Sequence, residues 1–110
     1  MDLSGRWEFG FDRSLNGQLV PTSVAYELIL ITLDETNLVG RLVFPADDTS
    51  RFRGTLSTTR QGTLLSLHQV NERTGYQAMY IGKVVDESRI AGIFTDLAGP
   101  DGDFRLRRVR

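Results

Sequence analysis

The segment Leu3-Ser4-Gly5-Arg6-Trp7-Glu8-Phe9-Gly10-Phe11 decides the fold. Leu3, Gly5, Trp7, Phe9 and Phe11 alternate with Ser4, Arg6 and Glu8, the period-two pattern of a strand with one buried face. The spacing apolar-x-Gly-x-apolar returns four more times, at Leu38-x-Gly40-x-Leu42, Phe52-x-Gly54-x-Leu56, Tyr80-x-Gly82-x-Val84 and Ile90-x-Gly92-x-Phe94. Each glycine shares its face with two large apolar residues. Glycine inside a strand costs roughly 0.5–1 kcal/mol relative to alanine, so a repeated cost needs a structural reason. A small coiled barrel supplies one, because its strands bend sharply and its inner face is crowded.

Seven further strands follow from the same reading: Val24–Leu33, Leu38–Phe44, Arg51–Thr58, Leu64–Val70, Tyr76–Val85, Arg89–Asp96 and Asp103–Val109. The links between them are turn formers, among them Asp34-Glu35-Thr36-Asn37, Pro45-Ala46-Asp47-Asp48-Thr49-Ser50 and Ala98-Gly99-Pro100-Asp101-Gly102. Short links favour antiparallel neighbours, and a meander of eight strands removes its exposed edges by closing on itself. The expected fold is all-β, an eight-stranded antiparallel up-and-down barrel, with a β-sandwich as the alternative. Asp12–Ser23 lacks periodicity; Leu19-Val20-Pro21 within it reads as a short extra strand or a flap.

A chain of 110 residues is one domain, here residues 1–110. With 40% hydrophobic and 25% charged residues it has the composition of a folded globular protein. A net charge of −1 gives no global field to recruit nucleic acid or an anionic membrane. The absence of cysteine excludes disulfides, thiolate catalysis and cysteine-based zinc sites, and it is compatible with a cytoplasmic location. No signal-peptide pattern and no apolar run of membrane-spanning length is expected. The basic residues are twelve arginines and one lysine, which reads as genomic composition before function.

Gly5-Arg6-Trp7 near the start of the first strand resembles the Gly-x-Trp of the calycins, the lipocalins with their avidin-like and fatty-acid-binding relatives. In that group an arginine of the final strand packs across the first-strand tryptophan. The resemblance therefore implies a barrel end closed by Gly5, Trp7 and an arginine. Arg105, Arg107 and Arg108 are available, and Arg108 shares the face of Phe104 and Leu106. The chain departs from the group in lacking the C-terminal helix of lipocalins and, with one tryptophan, the several that line an avidin-like biotin site.

Catalytic and metal signatures are sparse. His68 is the single histidine, without an adjacent nucleophile or carboxylate in the pattern, and reads as a surface or core residue. Most carboxylates fall in turns, where they bond local backbone; Asp101 and Asp103 around Gly102 lack calcium-loop spacing. Asp12, Glu27 and Asp96 are the exceptions, lying in or at the ends of strands. The basic tail from Arg105 to Arg110 lacks the aromatic platform of single-strand nucleic-acid binders. No metal or cofactor is expected.

The leading functional expectation is a non-enzymatic barrel that binds a small, mostly apolar molecule at its open end. Tyr26, Phe44, Tyr76 and Tyr80 would line the mouth and Asp12–Ser23 would act as a flap. The alternative is a packed barrel serving as an assembly module, with Ile29, Ile31 and Leu33 forming an outward apolar stripe toward a second copy or another protein. A third reading is a small-barrel isomerase or cyclase with a pocket carboxylate, for which no acid–base pair stands out.

Overall fold

The computed structural model describes residues 1–15, 17–21, 26–45, 47–97, 99 and 101–109. Among these there is no helix. Nine strands are present: β1 (Gly5–Leu15), β2 (Gln18–Pro21), β3 (Tyr26–Thr32), β4 (Asn37–Phe44), β5 (Asp47–Thr59), β6 (Gly62–Asn71), β7 (Gln77–Asp86), β8 (Arg89–Asp96) and β9 (Gly102–Arg108). Every pairing is antiparallel. From β3 to β9 each strand pairs with the next, and β1 pairs with both β3 and β9. The sheet is therefore a closed eight-stranded barrel with one extra strand, and the sandwich alternative falls away.

The extra strand is the sequence segment without periodicity. Asp12–Leu15, the end of β1, pairs with Pro21–Gln18, so β2 lies on the same edge of β1 as β3. Of the expected flap, Asn16, Thr22 and Ser23 lie outside the described residues, as do Val24 and Ala25 of the second expected strand.

The inner face follows the alternation. Leu3, Trp7, Phe9, Leu28, Leu30, Phe52, Leu67, Tyr80, Phe94, Phe104 and Leu106 are all less than 5% exposed. The outer face carries Arg6, Glu8, Arg51, Arg53, Lys83, Asp103, Arg105 and Arg107, all exposed. They are interspersed with exposed apolar residues such as Ile31, Ile81 and Ile93. The strand glycines stand among the large side chains. A Cβ on Gly82 would come 2.7 Å from Phe104, and one on Gly40 would come 2.8 Å from Leu30. At Gly92 the obstruction is backbone: a Cβ there would run into the Ile81 carbonyl oxygen.

At the end where β1 begins, Trp7 is fully buried and its indole Nε1 donates to the Leu3 carbonyl at 2.8 Å. Arg108 lies across the ring, its Cζ 4.5 Å from the centroid. The guanidinium also donates to the Ser4, Glu87 and Asp2 carbonyls at 2.7, 2.9 and 3.1 Å. Gly5 has φ +138°, and its absent Cβ would lie 3.1 Å from Arg108 Nη1. A side chain at position 5 would both strain the backbone and crowd the guanidinium.

Four stability outcomes follow. Gly92→Ala lowers stability by about 2–3 kcal/mol in urea denaturation, since a backbone obstruction cannot rotate away. Gly10→Ala meets only the mobile Arg105 guanidinium, at 2.9 Å, and stays near wild type. Arg108→Ala loses about 2–3 kcal/mol through the ring contact and three charge-assisted hydrogen bonds. Arg108→Lys recovers less than half, because an ammonium lacks the planar fork that reaches several carbonyls.

Candidate functional site

The far end of the barrel holds a polar layer on the inner face. Asp96, the last residue of β8, has a fully buried side chain. Arg13 on β1 meets it end-on, Nη1 to Oδ1 at 3.1 Å and Nη2 to Oδ2 at 2.7 Å. The Tyr76 hydroxyl donates to Oδ2 at 2.5 Å and the Gly99 amide to Oδ1 at 3.1 Å. Beside this group the Tyr80 hydroxyl donates to Gln69 at 2.7 Å and Asn71 Nδ2 to Ser50 at 3.2 Å. Among the described residues no buried side-chain polar atom lacks a partner. The layer is a satisfied network, with its one deep carboxylate already neutralised by a bidentate arginine.

The four aromatic residues expected at the mouth do not form one surface. Tyr80 is 3% exposed and packs on Phe9, Phe104, Phe94 and Phe52 at centroid distances of 5.3, 5.3, 5.7 and 6.4 Å. Its environment is core, because its strand position faces the axis midway along the barrel. Tyr26 is half-buried against Phe9 and Phe11, at 5.9 and 5.7 Å. Tyr76 is held by Asp96. Phe44 is 60% exposed on the outer side, opposite Glu27, and shares a depression of about 280 Å³ with Glu8, Tyr26, Glu27 and Val109. On the same outer side Ile31 and Leu33 are 47% and 62% exposed, while Ile29 is half-buried.

A larger concavity lies elsewhere, where the β4–β5 ladder is interrupted. Gly40 pairs with Phe52, but Leu42 pairs with Asp47. One residue, Arg41, separates the two partners on β4, whereas four, 48–51, separate them on β5. Such a bulge bends its strand and re-aims neighbouring side chains. Beside it opens a groove of about 880 Å³, lined by Val39–Val43 of β4, Ser50–Arg53 of β5, and His68, Val70 and Glu72.

Its walls are of two kinds. Val39, Val43 and Val70 are half-buried and give it apolar surface. Arg41, Arg51 and Arg53 are exposed around them, with His68 half-buried beside Arg53 across the β5–β6 ladder. Arg51 pairs with Glu72 at 2.9 Å, and His68 Nε2 sits 3.3 Å from Gln77 Oε1. Arg41 and Arg53 have no side-chain hydrogen bond or ion pair with any described residue. The sequence reading missed this group. Its only trace there is the alternation of Arg51, Phe52 and Arg53, which looks like an ordinary solvated strand face. Among the described residues no three histidine or carboxylate side chains converge as a metal site would need.

The buried phenols give the polar end a pH signature. Burial first, and then the Asp96 carboxylate, pushes the Tyr76 hydroxyl well above the ordinary phenol range; burial does the same to Tyr80. A phenol whose pKa is raised on folding stabilises the native state below the unfolded value of about 10 and loses that contribution as pH climbs past it. Urea midpoints are therefore flat from neutral pH to about 9 and fall above about 10. Tyr76→Phe makes that alkaline decline shallower.

No protein-family model matches the sequence, and no curated protein matches it. Among solved structures the fold is similar to a redesigned β-barrel, with TM-score 0.71 and 11% identity over 98% of this chain and 92% of that one. It is also similar to a de novo designed fluorescence-activating β-barrel, with TM-score 0.60 and 15% identity over 96% of this chain and 93% of that one. At these identities the likeness is one of fold.

Proposed function

We propose that this chain is a non-enzymatic small-molecule-binding barrel whose site is the groove at the β4–β5 interruption. The observation that carries this reading is the groove itself: about 880 Å³ of open space with Val39, Val43 and Val70 on its walls. That size suits a molecule of a few hundred daltons, since ligand pockets run from roughly 300 to 1,000 Å³. The barrel interior offers less, because four rings pack directly against Tyr80 within it. The resemblance to calycins at Gly5-Arg6-Trp7 and the fold shared with a designed fluorescence-activating barrel support binding at the level of architecture.

The test is titration with N-phenyl-1-naphthylamine, a neutral dye that brightens in apolar surroundings, followed by fluorescence. Saturable binding at one dye per chain is expected, weakened about tenfold or more by Val70→Asp, which places a charge on the groove wall. Val70 is only half-buried, so the variant keeps its fold, checked by its urea midpoint. Absence of saturable binding, or a Val70→Asp protein that binds like wild type, sinks the reading.

A further inference from the structure

We propose that the natural occupant of the groove is an organic anion: an apolar body resting on Val39, Val43 and Val70, with a carboxylate, sulfonate or phosphate head held by Arg41 and Arg53. This rests on the groove being the binding site and adds the chemical class of what it takes.

Among the described residues the charges lining the groove are unbalanced, with Arg41, Arg51 and Arg53 against Glu72. Glu72 is already engaged by Arg51, which leaves two guanidinium groups without an ionic partner. Four other exposed arginines are matched, Arg6 to Glu27, Arg89 to Asp86, Arg105 to Asp12 and Arg107 to Glu8, while Arg60 and Arg73, in or beside turns away from the groove, also have no ion pair with a described residue. Arg41 and Arg53 are the unpaired arginines that line the groove.

The ladder geometry accounts for the placement. Arg53 stands on the outer face between Val39 on β4 and His68 on β6. Arg41 pairs with Ile29 on its β3 side, while the bulge leaves it without a ladder partner on its β5 side. Neither guanidinium therefore has an acid as its paired ladder neighbour: those are Ile29 for Arg41, and Val39 and His68 for Arg53. A guanidinium presents a planar fork that matches carboxylate, sulfonate or phosphate oxygens, and it acts more strongly beside apolar surface than in open water. A neutral apolar ligand would use the valines and leave both forks unused. An inorganic anion would use the forks and leave the valines wet. An amphipathic anion uses both.

Two dyes with the same aromatic skeleton separate this proposal from the one it rests on. 8-Anilinonaphthalene-1-sulfonate carries an anionic head, and N-phenyl-1-naphthylamine is the same skeleton without it. The sulfonate is expected to bind wild type about tenfold or more tightly than the neutral dye, with an affinity that falls as sodium chloride is raised. In the Arg41→Gln/Arg53→Gln protein the sulfonate drops to the level of the neutral dye, while the neutral dye binds within about twofold of wild type. Arg41→Lys/Arg53→Lys, which keeps the charge and removes the fork, falls between the two. Both arginines are exposed and unpartnered, so these proteins fold, with urea midpoints matching wild type.

Equal binding of the two dyes to wild type, with no effect of either double substitution, overturns the anionic occupant and leaves the groove as a neutral apolar site. Binding of neither dye, or dye binding indifferent to Val70→Asp, overturns the groove as a site and the anionic occupant with it.

Discussion

Space inside the barrel is the constraint on which the rest depends. An eight-stranded barrel leaves an interior just wide enough to be filled by side chains or to hold one small ligand. Here Trp7, Phe9, Phe52, Tyr80, Phe94 and Phe104 all occupy it. They fit because Gly40, Gly82 and Gly92 stand where a methyl group would collide with a leucine, a phenylalanine or the neighbouring strand's backbone. Large rings and missing side chains are thus two halves of one solution, and the rings gain edge and tilted contacts in return. Polar inner-face groups are confined to the ends, where Asp96 and Arg13 neutralise each other and Arg108 finds three carbonyls.

With the interior filled, the groove proposed as the binding site lies in the barrel wall. Regular antiparallel strands present a convex surface with little shelter, so a groove needs a break in the ladder. The unequal chain lengths of β4 and β5 between their paired residues provide it. The valines and arginines around it sit at ordinary outward positions; the bulge turns a solvated face into a concavity.

The barrel was legible because its determinants are local. Period-two alternation, the glycine spacing and the turn formers each lie within a few residues, and the strand read at Arg89–Asp96 matches β8 residue for residue. The groove was not legible, because Pro45 to Ser50 reads as a turn by composition. Composition does not state how many residues β5 adds opposite β4; pairing between the strands sets that number. The polar end was half legible. Asp96 is conspicuous as a carboxylate at a strand end, but Arg13 lies 83 positions away and has no sequence mark tying the two together. Tyr80 illustrates the opposite error. Alternation places it on the inner face and cannot say that four other rings will crowd around it.

The pairing of β1 with β9 also shapes how the chain reaches its structure. The hydrogen bond from Arg108 to Ser4 spans 104 positions, and the β1–β9 ladder joins the first and last strands of the sheet. Contacts of that sequence separation carry a large loop-closure cost and slow folding. During synthesis β1 can meet β3 early, but its other edge stays open until β9 emerges. Until then the nascent meander presents an unpaired strand edge with Trp7, Phe9 and Phe11 on its apolar side, the kind of surface on which partly made β-sheets associate wrongly. Closure of this barrel by β9 is the event that ends that exposure.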